Sequence, residues 1–168
     1  MDPRVARTLS AMMTYETGCP KRIQHLLKVY TFCKLIALEE GLDPQTQLIL
    51  ETTAAVHDIG IRKSLEVYGS YTGKTQEELG PAEADALLTS IGFPREIIDR
   101  VCWIVGRHHT YTDIQGLDYQ ILVEADFLVN LYEKDESAEA QRAAYEKIFR
   151  TETGRRLCRE HFPAVCQA

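Results

Sequence analysis

The chain has 168 residues, 45% of them apolar and 26% charged, with a formal net charge of −6. That length suits a single domain with a substantial core, and the composition is that of an ordinary globular protein. The acidic balance argues against a broad nucleic-acid-binding face, which needs a basic surface, but leaves room for a small phosphorylated substrate held by local cations.

With no repeat, low-complexity tract or interdomain linker, residues 1–168 read as a single all-α domain, a multi-helix bundle. The segment Pro20 to Glu40 is dense in helix formers, opens on a first-turn proline and stops at Gly41. Asp43-Pro44 forms an N-cap and first-turn pair for a helix running to about His57, with Gly60 ending it. Between Ile61 and Gly80 the periodicity weakens, predicting a loop with a short helical turn. Pro81 then starts a helix through Leu87 and Leu88 that stops at Gly92. Pro94 opens the next, carrying Ile97, Ile98, Val101, Trp103, Ile104 and Val105 up to His108. Asp113 to Asp118 is expected as a second loop and Tyr119 to Tyr132 as a helix. Ser137 to His161 predicts one or two amphipathic helices, which close the bundle or meet a second copy of the chain in a homo-oligomer.

Every long apolar stretch is broken by a charge or an amide, so no membrane span is expected, and Met1-Asp2-Pro3-Arg4 opens no apolar signal region. The five cysteines are odd in number and lack Cys-x-x-Cys spacing, which argues against a disulfide framework and a thiolate zinc site. A cytoplasmic setting is expected. Trp103, Cys33 and Cys102 read as core.

Chemistry centres on the adjacent pair His57-Asp58, followed by Ile59-Gly60. His57 follows the apolar row Leu50, Thr53 and Ala54; His25 shares a face with Val29, Phe32, Cys33 and Ile36; Asp126 lines up with Tyr119, Leu122, Val123 and Val129. All three therefore point inward, and a buried carboxylate costs several kcal/mol unless it is paired, hydrogen-bonded or metal-bound. Taken singly, each has an ordinary explanation: a hydrogen-bonded core histidine, a helix-ending His-Asp pair, an Asp126 paired with Arg107 or Arg100. Taken together, inward carboxylates and imidazoles from several helices suggest one shared divalent cation.

Helix-borne His25, then His57-Asp58 followed by Ile59-Gly60, then His108-His109 at a helix end, then Glu124-Ala125-Asp126, resembles the HD-domain metal-dependent phosphohydrolase superfamily over roughly His25 to Tyr132. The resemblance implies an all-α bundle with a metal-binding core at about residues 20–134, C-terminal helices at 137–161, and hydrolysis of a phosphoester in a nucleotide or similar small metabolite. It also implies one or two divalent ions (Mn, Fe, Co, Ni, Zn or Mg). His25, His57, Asp58 and Asp126 match the core ligands, and His108 or His109 is the far-side ligand of a second ion. Relatives with two ions carry a His four residues before a helix-opening glycine, where this chain has Gln76 before Gly80.

The expected chemistry is metal-activated water attacking phosphorus. Asp58 ligates the ion and orients that water, and whichever of His108 and His109 is not a ligand protonates the leaving group. Many relatives carry Lys directly after Ile-Gly, where this chain has Ile61, Arg62 and Lys63. Arg62, Lys63, Lys74, Gln76 and Arg107 are candidates for binding or activating the phosphate. Glu77 and Glu78 read as solvated carboxylates, and Tyr68, Tyr71 and Tyr111 fall in loops beside the site. Two other functions fit the same residues: a di-iron oxygenase of the same superfamily, and a nucleotide- or metal-binding sensor without turnover.

Overall fold

The computed structural model describes residues 2–166. Among them there is no strand. The helices are α1 (Pro3–Tyr15), α2 (Pro20–Glu39), α3 (Pro44–Val56), α4 (Gly60–Tyr68), α5 (Gly73–Ile91), α6 (Arg95–Val105), α7 (Leu117–Glu133), α8 (Ala138–Lys147) and α9 (Glu152–His161), with a 3-10 turn at Pro163–Cys166. The all-α class expected from the sequence is what the chain adopts. No helix among the described residues is long and apolar enough to cross a membrane.

Local chemistry explains most boundaries. Asp43 accepts hydrogen bonds from the backbone amides of Gln45 and Thr46, capping α3, while Pro44 supplies a first-turn residue that needs no acceptor. Gly92, at φ 91°, ends α5 in the left-handed conformation that costs a residue with a Cβ.

Several expectations are corrected. Residues 61–80 are not a loop, since α4 and α5 occupy them and leave only residues 69–72 between. Thr72 and Thr75 form a reciprocal capping box that starts α5 early, so Pro81 lies inside that helix rather than at its start. Gly60 opens α4 instead of closing α3, which ends at Val56. α1 is an addition, capped by Asp2 and burying Val5, Thr8, Leu9 and Met12 along one stripe. Trp103 is only partly buried, with the guanidiniums of Arg100 and Arg107 at 4.6 and 4.5 Å from its ring. Cys33 is buried as expected and Cys102 partly so, its thiol donating to the Pro81 carbonyl.

α2, α3 and α7 pack on one another at the centre, with α6 against α3, α5 against α6 and α4 against α5. Val29, Cys33, Ile36, Leu50, Ala54, Leu122 and Ala125 fill the space between the three central helices. Each large aliphatic side chain buried this way contributes roughly 1.5–3 kcal/mol. Glycine sets how closely the outer helices approach. A Cβ on Gly60 would lie 2.7 Å from the Gln76 carbonyl oxygen and 3.0 Å from the Gly80 nitrogen, and one on Gly80 would lie 2.8 Å from Val105 Cγ1. Backbone atoms cannot turn aside as a side chain can. Gly60→Ala is therefore expected to cost about 1–3 kcal/mol, lowering the thermal midpoint by roughly 3–10 °C. An unchanged midpoint in a circular-dichroism melt would show that α4 and α5 tolerate separation.

Candidate metal centre

Two helix ends and two helix interiors deliver the site. α3 stops at Val56, and the turn closed by the Ile59 amide on the Val56 carbonyl (2.9 Å) presents His57 and Asp58 together. α6 ends at Val105, and the turn after it presents His108 and His109. His25 comes from α2 and Asp126 from α7.

Every imidazole in the cluster is oriented by its Nδ1. His57 Nδ1 lies 2.9 Å from the Ala54 carbonyl and His108 Nδ1 lies 2.8 Å from the Val105 carbonyl. Both carbonyls belong to last turns of helices, where carbonyls lack intrahelical partners. His25 Nδ1 lies 2.9 Å from Glu133 Oε2. An N–H at each Nδ1 leaves each Nε2 with a bare lone pair.

Those lone pairs converge on two carboxylates. His25 Nε2 is 3.1 Å from Asp126 Oδ1 and 3.5 Å from Asp58 Oδ2, and His57 Nε2 is 3.6 Å from the same Asp58 oxygen and 3.8 Å from Asp126 Oδ1. His108 Nε2 is 3.5 Å from the other Asp58 oxygen, Oδ1. None of these approaches is a formed hydrogen bond. Among the described residues, the buried side-chain polar atoms without a partner are Nε2 of His25, His57, His108 and His109, and Oε1 of Gln76. All five belong to this one locality. Potential ligand atoms of His25, His57 and Asp58, and likewise of Asp58, His108 and His109, lie within 4.8 Å of one another. Asp58 belongs to both groups, one oxygen toward each. Unpartnered imidazole nitrogens facing carboxylates fit a divalent cation with nitrogen and oxygen ligands, because burial without such a partner is costly.

Charge in the cluster is strongly coupled. Burial pulls the His25 pKa down, but Asp126, Asp58 and Glu133 outweigh it and push the value up to about 9. Burial also opposes ionisation of Asp58, yet His57, His108 and His25 hold its pKa well below the usual range. Burial dominates at His57, lowering its pKa, while at His109 burial and the His108 charge bring it down to about 4.

A cavity of about 350 Å³ opens above the cluster, lined by His25, Asp58, Gln76, His109, Asp126 and Asn130, with Tyr71, Tyr111 and Phe127 along its apolar side. The cations expected to hold phosphate lie outside the lining of this cavity. Arg62 donates to the Tyr15 carbonyl and stacks on the Tyr15 ring, Lys63 lies 3.5 Å from Glu66, and Arg107 stacks on Trp103. Neither they nor Lys74 line the cavity, whose walls carry Lys21, Arg22 and Lys134 instead. Tyr68 is also elsewhere, bonded to Glu78. Arg100 is engaged with Asp118 at 2.7 Å, so it offers Asp126 no counterion.

Two neighbours of the cluster carry no role in the sequence reading, and a third, Glu77, differs from it. Asn130 donates to Asp126 Oδ1 at 2.7 Å, and Glu133 reaches His25. Both signals were present, four and seven residues after Asp126 on one helix face. Glu77 is not simply solvated, since it accepts from the His109 amide and the Thr110 hydroxyl and so fixes the turn carrying His109.

An all-helical domain built around a histidine–aspartate cluster is thus defined by its own geometry. The HD domain family is matched over residues 22–148, and the chain belongs to that family. Among solved structures, a predicted HD superfamily hydrolase from an uncultured Thermotogales bacterium aligns with a TM-score of 0.71 at 24% identity, over 98% of this chain and 88% of that one. At that identity the likeness is one of fold. No curated protein matches the chain.

The raised His25 pKa carries a stability consequence for the ion-free protein. An imidazole at about 9 when folded and 6.5 when unfolded stabilises the fold fully below pH 6.5, and that contribution is lost as pH rises to about 9. His57, its pKa lowered in the fold, differs in charge from its unfolded state only near the lower edge of that window and counters the loss little. Urea unfolding in a chelator should therefore show a loss on the order of 1–3 kcal/mol from pH 6.5 to 9, smaller in His25→Gln, where only the raised pKa of His108 remains. A flat profile would contradict this charge arrangement.

Proposed function

We propose that the chain is a divalent-metal-dependent phosphohydrolase acting on a phosphoester of a nucleotide or similar small phosphorylated metabolite. The observation that carries this reading is the set of buried, unpartnered Nε2 atoms of His25, His57 and His108 facing Asp58 and Asp126 on a cavity floor. His25, His57, Asp58 and Asp126 would hold the ion. When bound, it supplies Lewis acidity, which makes water a competent nucleophile at neutral pH and draws charge from a phosphoryl oxygen.

The chain's own groups do the rest. Asp58 is a quarter exposed and faces the cavity, so its carboxylate can accept a hydrogen bond from the attacking water and aim it. His108 and His109 divide two roles. The bare Nε2 of His108, fixed by the Val105 carbonyl, is ligand-like. His109 Nδ1 lies 3.3 Å from the Tyr111 hydroxyl; in the imidazolium form its Nδ1–H donates to that hydroxyl and its Nε2–H can be given to the leaving-group oxygen, leaving a neutral ring. Its low pKa rises when a phosphate dianion lies beside it. Lys21 and Lys134 take the remaining anionic charge, Arg22 being paired with Glu16 at 2.5 Å, and Tyr71, Tyr111 and Phe127 cover an apolar or ring portion of the substrate. The five free cysteines fit a reducing cytoplasm.

A panel of phosphomonoesters, nucleotides and cyclic nucleotides assayed with Mn²⁺, Co²⁺, Ni²⁺ and Fe²⁺ tests this reading. Hydrolysis of at least one is expected, and Asp58→Ala should abolish it while helical circular dichroism persists. Full activity in that variant, or no turnover with any ion, would end the proposal. Gln76→His adds an imidazole beside Asp58, His108 and His109, and should raise tightly bound Mn²⁺ from one to two per chain by elemental analysis. Unchanged stoichiometry would mean that Gln76 does not limit the second position.

A further inference from the structure

His25 differs from the other histidines of the cluster in how it is held. His57 and His108 lie just past helix ends and use carbonyls three residues back. His25 is the sixth residue of the twenty-residue α2, where backbone carbonyls are already engaged by the helix. Its Nδ1 must find an acceptor on another element, and it finds Glu133, the last residue of α7. Glu133 is itself fixed. Its second oxygen, Oε1, lies 2.6 Å from the ammonium of Lys28, one turn beyond His25 on the same helix. The carboxylate side chain is 12% exposed. α2 therefore presents an imidazole and an ammonium three residues apart, and one carboxylate from α7 spans both.

We propose that Glu133, anchored by Lys28, is a positioning residue for metal binding. It holds the proton of His25 on Nδ1, keeps Nε2 directed at Asp58 and Asp126, and lends the ring its negative charge. A histidine ligand that donates its other N–H to a carboxylate is a stronger and better-oriented donor than one bonded to a neutral carbonyl. Among the three imidazoles, His25 alone has a carboxylate behind it, so it supplies a disproportionate share of the affinity. Both Glu133 oxygens are engaged, one by His25 and one by Lys28, so the residue acts on the ion through the ring. This inference rests on the metal-binding reading above.

The test is Mn²⁺ affinity, read from free Mn²⁺ by electron paramagnetic resonance and independent of turnover. Glu133→Ala is expected to weaken binding about 10–100-fold. Glu133→Gln, which keeps an acceptor oxygen but not the charge, should fall between that variant and the native chain. Glu136→Gln removes a charge from the same cavity wall and should change affinity less than twofold. The deciding comparison is made in a His25→Ala background, where Glu133→Gln should have no further effect. A general electrostatic or structural role would instead lower affinity by the same factor in both backgrounds. That result, or native affinity in Glu133→Ala, overturns the role of Glu133 while metal binding stands. Failure of the native chain to bind Mn²⁺ overturns both readings. Circular dichroism of each variant confirms that the helices persist.

Discussion

The structure depends on hydrogen bonds made by the back of each imidazole, away from the cavity. The Ala54 carbonyl, the Val105 carbonyl and the Glu133 carboxylate each take the Nδ1 of one histidine. Three lone pairs are left aimed at two carboxylates. A free histidine samples two tautomers and many ring orientations, and fixing both costs entropy. Here that cost is met during folding, by helix ends and by one ion pair.

Other buried carboxylates in the same molecule show that the cluster is not simply a lapse in packing. Glu124 is fully buried and accepts from Gln120 Nε2 (2.7 Å), the Arg150 amide (2.6 Å), the Thr151 amide (2.9 Å) and the Thr151 hydroxyl. Glu51 accepts from the Tyr30 hydroxyl and from Gln47, both at 2.8 Å. The fold satisfies an acid when the acid only holds helices together. At Asp58 and Asp126 it surrounds the carboxylates with imidazole nitrogens that point at them without closing hydrogen bonds. That contrast separates a binding centre from a structural pair, since an unmet polar group in the interior costs about 1–3 kcal/mol.

The helices outside the central three serve mainly to place this centre. Gly60 and Gly80 let α4 and α5 touch at backbone distance, which brings Gln76 beneath the His57-Asp58 turn. A Cβ on Gly73, at the start of α5, would lie 2.8 Å from the His109 ring, so the absence of a side chain there leaves space for that imidazole. Glu77, one residue after Gln76, holds the His109 amide. A single helix thus contributes an unpartnered amide oxygen, a clearance and an anchor to the side of the cluster away from His25.

Much of this was legible along the chain, because helical periodicity is a local property. The inward faces of His25, His57 and Asp126, the proline and aspartate helix starts, and the all-α class follow from residues within a turn or two of each other. Asn130 and Glu133 were readable in the same way, from their spacing after Asp126. What the tertiary structure alone decided concerns residues far apart in sequence. Arg62, Lys63 and Arg107 sit near the ligands along the chain, yet their helices turn them toward Tyr15, Glu66 and Trp103. Lys21, Arg22 and Lys134 come to the cavity from the start of α2 and the end of α7. Periodicity fixes which face of a helix is buried, but it says nothing of what that face meets, because the meeting is set by how helices cross and how closely their smallest residues let them approach.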